Sequence, residues 1–185
     1  MEKKKLIGTI VGVIAFIALI AGATFAWFTY NITLNNAGYN FTSSNFSIVY
    51  DKGSNITGIK MLSAEPSTIT TGAENGEVTL SARTTGTIEG TMTVYLNVTT
   101  GLPIINKQAL KSIMCVDSTD VTSSCTKRTV TVTNNVATLG TVPVNSTLKN
   151  IYVMLWLDAT KVDETLDGTN GQFSGYISAS ATQTQ

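Results

Sequence analysis

The sequence predicts an all-β protein, an antiparallel β-sandwich preceded by an N-terminal hydrophobic helix. Two observations support this fold class. A charge-free apolar run covers Leu6–Phe28, and the chain after it is rich in Thr, Val, Ile, Asn, Ser and Gly, a composition that favours strands. We divide the 185 residues into a signal peptide or membrane anchor at 1–26 and one exported β-sandwich domain at 27–185, because the second part has the size of a single domain.

The N-terminal segment is an export signal. Residues 1–5 hold three lysines and one acid, and the apolar run that follows is 23 residues long. A helix of that length covers ~34 Å and can cross the ~30 Å hydrocarbon core, so a retained anchor is possible. The most apolar part, Leu6–Ile20, also has the size of a signal-peptide core, and small residues follow it. Both alternatives stay open, with cleavage favoured.

Cleavage is expected between Ala26 and Trp27, where Thr24 and Ala26 are small enough for the pockets of a signal peptidase. The lysines hold the N-terminus in the cytoplasm, so the chain after Phe28 is expected outside the cell or on its surface. The expected partners at this step are therefore the membrane and a signal peptidase.

Strand prediction rests on short segments with apolar residues at alternate positions, separated by turn residues. Asn134-Asn135 is one such turn. One segment, Ile104–Met114, is predicted to be helical instead. The predicted strands are 28–34, 46–50, 59–62, 78–82, 92–98, 130–132, 136–139, 151–157 and 173–181.

Cysteine usage agrees with export. Cys115 and Cys125 are the only two cysteines, and in an oxidising compartment such a pair is most simply a disulfide that closes a loop or hairpin end. The spacing is far from CxxC, which disfavours redox chemistry.

The composition argues against several functions. Acidic and basic residues balance at twelve each, so no net field favours nucleic acid. The chain has no histidine, the side chain used most often as a general base or metal ligand. An acidic turn around Asp158–Asn170 could hold calcium but is more simply a solvated hairpin end. We therefore expect no enzyme activity, no cofactor and no metal site.

Both ends of the chain resemble one protein family. The N-terminal stretch Lys3–Phe28, with its Gly-Ala-Thr-Phe-Ala-Trp-Phe ending, and the closing segment Phe173–Gln183 are similar to the TasA/camelysin family of exported Gram-positive biofilm-matrix proteins. The segment Tyr152–Asp158 is similar to small exported proteins of the same group. The middle of the chain agrees only in being rich in strands, and it adds Cys115 and Cys125. The resemblance implies a jelly-roll-like β-sandwich and assembly into extracellular fibres by strand donation.

The leading functional prediction is a structural subunit of a surface fibre or biofilm matrix, with copies of itself as its partner. The expected donor strand is the first one after the export segment, with apolar residues Phe28, Tyr30, Ile32 and Leu34. The alternative is a monomeric, membrane-tethered or secreted sandwich that binds carbohydrate or protein. A pilin-like subunit is disfavoured, because no glutamate lies within Leu6–Phe28.

The first testable prediction concerns processing. Protein recovered from the culture medium or cell surface should begin at Trp27 when sequenced from its N-terminus. Recovery of a chain that still begins at Met1 would contradict cleavage and support the retained anchor.

Overall fold

The described part of the chain is almost entirely β-structure. The computed structural model describes residues 30–32, 41–42, 46–50, 55–70, 72, 76–100, 108–162 and 173–184. The chain divides into units at 1–30 and 31–185, and all that follows concerns the second unit, apart from Tyr30, which begins β1. A single turn of 3-10 helix lies at Ala159–Lys161. The described strands are β1 Tyr30–Ile32, β2 Phe41–Thr42, β3 Phe46–Tyr50, β4 Asn55–Ile56, β5 Lys60–Leu62, β6 Glu77–Thr84, β7 Glu89–Thr100, β8 Leu110–Val116, β9 Thr126–Thr129, β10 Val136–Val144, β11 Lys149–Asp158 and β12 Ser174–Thr184.

The strands form two sheets. The first sheet has the order β1-β12-β7-β10, with β4 also paired to β12. The second has the order β2-β3-β6-β11-β8-β9, with β5 also paired to β11. One pairing is parallel, that of β5 with β11. The antiparallel pairs are β2–β3, β3–β6, β6–β11, β11–β8, β8–β9, β4–β12, β12–β7 and β7–β10. After β6, each strand lies in the opposite sheet from the one before it, except that β9 stays beside β8.

The main core lies between the sheets. Met92, Val94 and Leu96 of β7 are fully buried, and they belong to the same hydrophobic cluster as Leu80 and Leu155 of the second sheet. The residues between them on β7 are only half-buried, as expected for a strand with one face toward a core. The predicted all-β class and its antiparallel sheets are therefore confirmed.

A second hydrophobic cluster covers the outer face of the second sheet. It contains Ile69, Ile113, Met154 and Trp156 together with Cys115. Two loop segments cross this face and hydrogen-bond to each other, since Ile69 N donates to Thr119 O and Val121 N to Ser67 O, both at 2.8 Å. Strands β8 and β11 are therefore buried on both faces, which explains why Ile151–Leu157 is an almost continuous apolar run.

Most predicted strands are present. Residues 46–50, 78–82, 92–98, 136–139, 151–157 and 174–181 lie in strands, and β5 covers residues 60–62. The predicted turn at Asn134-Asn135 is a two-residue hairpin turn, in which both residues have positive φ, 51° and 65°, and Thr133 and Val136 exchange two backbone hydrogen bonds. Such a turn matches the twist of the strands that it joins.

Two local predictions are wrong. The helix predicted over Ile104–Met114 is strand β8 from Leu110 onward, because pairing with β11 and β9 and burial of both faces outweigh helix propensity, which is a weak preference. The strand predicted at Val130–Val132 lies earlier, at β9. Val130 is instead a buried core residue just beyond the strand, and its N–H donates to Leu110 O at 2.8 Å.

Two glycines with positive φ provide a matched stability test. Gly76 has φ 77° and Gly86 has φ 64°. A Cβ at Gly76 would overlap the carbonyl oxygen of Leu155, whereas a Cβ at Gly86 would meet nothing within 4 Å. Gly86→Ala should therefore cost only the strain of the left-handed conformation, ~1–2 kcal/mol.

Gly76→Ala should cost at least ~1 kcal/mol more than Gly86→Ala, because it adds a backbone clash to the same strain. Urea unfolding of both variants measures the difference. Equal free energies of unfolding would mean that the contact between Gly76 and Leu155 does not constrain β6 against β11.

Candidate assembly edge and disulfide

Strand β12 offers the clearest candidate for contact with another chain. Along one edge it pairs with β7 from Ser174 to Thr184. Its partners on the other edge are short, since β4 has two residues and β1 has three. Strand edges are the places where a second chain can add a strand, because their backbone N–H and C=O groups can pair.

Two rows of side chains keep β12 in place. Ile177, Ala179 and Ala181 belong to the core cluster. On the other face, polar groups link β12 to β7, with Asn97 Nδ2 donating to Ser178 Oγ at 2.8 Å and Tyr95 Oη lying 3.3 Å from Ser180 Oγ. The closing segment alternates apolar and small polar residues in the sequence. Its apolar residues therefore face the core, and its polar residues hydrogen-bond to β7 on the other face.

The structure describes part of the predicted donor strand. Tyr30–Ile32 form β1, which lies beside β12. Phe28 and Leu34 lie outside the described residues, as do the predicted cleavage site Ala26–Trp27 and the apolar run Leu6–Phe28. In the part of the chain that is described, no helix has the length and apolar character needed to span a membrane.

The structure joins the predicted cysteine pair. Cys115 and Cys125 form a disulfide with 4.5 Å between their Cα atoms. Cys115 is buried near the end of β8, and Cys125 directly precedes β9, where Met114 pairs with Thr126. The bond therefore closes the end of the β8–β9 hairpin, as the sequence predicts. It also holds the loop that covers the outer hydrophobic cluster.

Three acidic side chains among the described residues have altered pKa values. Burial raises the pKa of Glu77, whose Oε1 accepts a 2.9 Å hydrogen bond from Thr70 and whose Oε2 is buried without a partner. The backbone N–H of Asn150, 2.8 Å from Oδ1, is the main cause that lowers the pKa of Asp117. The pKa of Asp158 is lowered mainly by a hydrogen bond from the hydroxyl of Thr160, which lies 2.6 Å from Oδ1.

These acids do not form a metal centre. Among the described residues no group of three or more acidic, Cys or His side chains is arranged to hold a metal ion. Most of the acidic turn after Asp158, from residue 163 to 172, lies outside the described residues, so its interpretation as a solvated hairpin end stays a prediction.

Comparison with known proteins does not assign the chain to a family. No protein-family model matches the sequence, and no curated protein matches it. The resemblance of its two ends to the TasA/camelysin family therefore stays a prediction.

The disulfide generates a prediction for stability. Reduction should lower the free energy of unfolding by no more than ~3 kcal/mol, because the ring that the bond closes is short. Mass spectrometry of freshly exported protein should find no free thiol. As a control, the same reductant should not affect the stability of a variant carrying both Cys115→Ala and Cys125→Ala. Two free thiols in the exported protein would contradict the prediction.

Glu77 generates a prediction for pH dependence. Its pKa is raised above 4.5 in the folded state, so the folded chain binds the proton more tightly than the unfolded chain does. Its contribution to stability is thus greatest in acid and is lost as the pH rises through the raised pKa. The shifts of Asp117 and Asp158 act in the opposite direction, and their contributions are lost as the pH falls below 3.8.

Glu77→Gln should therefore be more stable than the wild type at pH 7, and its advantage should shrink toward pH 5. Urea unfolding at the two pH values measures this. Glu89→Gln is the matched control, because Glu89 is exposed. The same pH dependence in wild type and Glu77→Gln would show that burial of Glu77 has no effect on stability.

Proposed function

We propose that this protein is exported and is a structural subunit of an extracellular fibre or biofilm matrix, assembled by donation of its N-terminal strand to a neighbouring copy. The observation that carries this proposal is the pairing of Tyr30–Ile32 with β12. The donor segment follows the export segment directly, and its partner β12 is a long strand whose other partner on that edge, β4, has two residues. A second copy of the donor segment has the same hydrogen-bonding groups and the same sequence.

We infer further that the sandwich is a jelly roll. Eight of the strands support this, in the order β4-β12-β7-β10 in the first sheet and β6-β11-β8-β9 in the second. Jelly rolls are double sheets of eight strands in which the chain passes repeatedly between the sheets. The crossing connections from β6 to β12, with one hairpin at β8–β9, agree with that architecture.

The energetics of donation are favourable. Four apolar side chains of the predicted donor strand, Phe28, Tyr30, Ile32 and Leu34, would contribute ~6–12 kcal/mol on burial before ordering costs. Ladder hydrogen bonds would add affinity and fix the register. Within one chain Tyr30–Ile32 already pairs with its own β12, so donation to a neighbour must replace this pairing, and the two arrangements compete for the same edge.

A double substitution tests the proposal. Tyr30→Asp combined with Ile32→Asp should abolish polymers, because a charged strand cannot be buried at a neighbour's edge. The domain should stay folded, with a melting temperature within a few degrees of the wild type. Size-exclusion chromatography and thermal melts of the full chain measure both properties.

The matched control is Asn31→Asp combined with Thr33→Asp, which adds the same charge at alternate positions of the same strand. It should leave the polymers largely intact. An unchanged polymer in the Tyr30/Ile32 variant would contradict donation. A misfolded monomer would show instead that this strand belongs to the core of its own domain.

The alternative function, a monomeric sandwich that binds carbohydrate or protein, is favoured by one observation. A cavity lies on the outer face of the second sheet, and the residues that line it include Lys111, Thr129 and Trp156. Binding at this cavity is compatible with assembly, because the β12 edge belongs to the other sheet.

A further inference from the structure

One side of the sandwich carries two outer strands, β9 in the second sheet and β10 in the first. Each is the last strand in the order of its sheet, β9 beside β8 and β10 beside β7, and no described strand pairs with the outer edge of either. The two strands lie close together, since a Cβ at Gly140 of β10 would overlap Met114 of β8 and lie 3.4 Å from Thr126 Cγ2 of β9. An outer edge can accept a strand from a second chain when its backbone N–H and C=O groups are open.

The first half of β10 is poorly suited to such pairing. The N–H and C=O of Val136 already form hydrogen bonds of 3.0 and 2.9 Å with Thr133. A β-bulge follows, because the register with β7 shifts between Thr138 and Gly140. The bulge turns two successive residues, Leu139 and Gly140, toward the interior, where both are buried. An incoming strand therefore cannot keep one register across this part of the edge.

Pro143 lies in the second half of β10, where the register is regular. It is exposed and pairs with Thr91 of β7. A proline has no N–H, and within a sheet it occupies positions whose N–H would point away from the ladder. The nitrogen of Pro143 therefore faces the outer edge, and its ring stands where a strand would need a donor. Because successive residues of an antiparallel strand direct their backbone groups to opposite edges, Thr141 has the remaining outward N–H of this half.

Arg128 opposes pairing at the neighbouring strand β9 by its charge. It pairs with Ser112 of β8, and Ser112 pairs with Leu155 of β11. Since paired residues share a face of the sheet, Arg128 lies on the same face as the core residue Leu155. It is nevertheless exposed, because β9 is the last strand of its sheet, and it forms no ion pair among the described residues. A strand added beside β9 would cover this unpaired charge, which is costly.

Natural edge strands avoid pairing by the same three means, namely bulges, prolines and charged residues that point inward. The edge along β12 differs, because its short partners Tyr30–Ile32 and Asn55–Ile56 contain neither proline nor a charged residue. We propose that Pro143 and Arg128 close the β9–β10 side of the sandwich to strand addition, so that fibre growth uses the β12 edge. The direction of growth rests on the proposed fibre function, whereas closure of the β9–β10 side does not.

Removal of both residues tests the closure. The full chain carrying Tyr30→Asp and Ile32→Asp provides the background, because its charged donor strand cannot be donated. In this background the edge variant, Pro143→Thr combined with Arg128→Thr, should form reversible assemblies, with a rise of about twofold or more in mass as its concentration increases. Size-exclusion chromatography with light scattering measures the mass, and circular dichroism should show that the subunits keep their β-structure. The same two substitutions in the wild-type chain should also raise the mass above that of the wild type at equal concentration.

Two controls connect the new assemblies to this edge. Pro66→Thr combined with Arg83→Thr removes the same residue types elsewhere, since Pro66 lies outside the strands and Arg83 is exposed on β6, which has a strand partner on each side. It should leave the mass of the background chain unchanged. Thr141→Lys added to the edge variant should abolish the new assemblies, because it returns a charge to the edge of β10.

Two results would overturn the proposal. One is an edge variant whose mass equals that of its parent chain at every concentration, in both backgrounds. The other is a set of new assemblies that persists with Thr141→Lys, because such assemblies form at another surface. Failure of the wild type to form fibres would contradict the proposed function instead, and it would leave the expected gain of assembly by the edge variant unchanged.

Discussion

The packing of the described chain depends on the position of β11 in the middle of the second sheet. This strand pairs with β8 along one edge, while β6 and then β5 pair along the other. Ile151, Val153 and Leu155 pack into the core between the sheets, and Met154 and Trp156 pack under the loops on the outer face. A strand buried on both faces requires both layers to form, so the inner core and the outer cluster depend on the same backbone.

The disulfide contributes to this arrangement at one point. Cys115 lies in the outer cluster beside the residues that β11 presents to it, and its partner Cys125 lies at the end of the covering loop. That loop also hydrogen-bonds to the segment around Ser67–Ile69. Linking Cys115 to Cys125 therefore limits the motion of the cover over the second sheet, whereas the first sheet lacks such a covalent constraint among its described residues.

The sequence predicts the fold class well because apolar residues at alternate positions indicate a strand with one face buried. Segments such as Met92–Val98 have one face in the core and one polar face, and their period of two is visible in the residues. Strand β8 shows where prediction from alternating apolar residues fails. Its sequence Leu-Lys-Ser-Ile-Met-Cys-Val does not alternate, because both faces are buried, and helix-favouring residues precede it. Only its partners β9 and β11, distant in sequence, determine its conformation.

The cavity could not be predicted for a related reason. Lys111, Thr129 and Trp156 come from three strands, and only the strand registers bring them together. Since β8 was expected to be helical, no sequence pattern placed Lys111 beside Trp156. The donor strand is different, because its role was inferred from residues contiguous in sequence. The proposed strand addition would take place at an edge of the first sheet, whereas the cavity opens on the outer face of the second. A donated strand would therefore leave the cavity accessible.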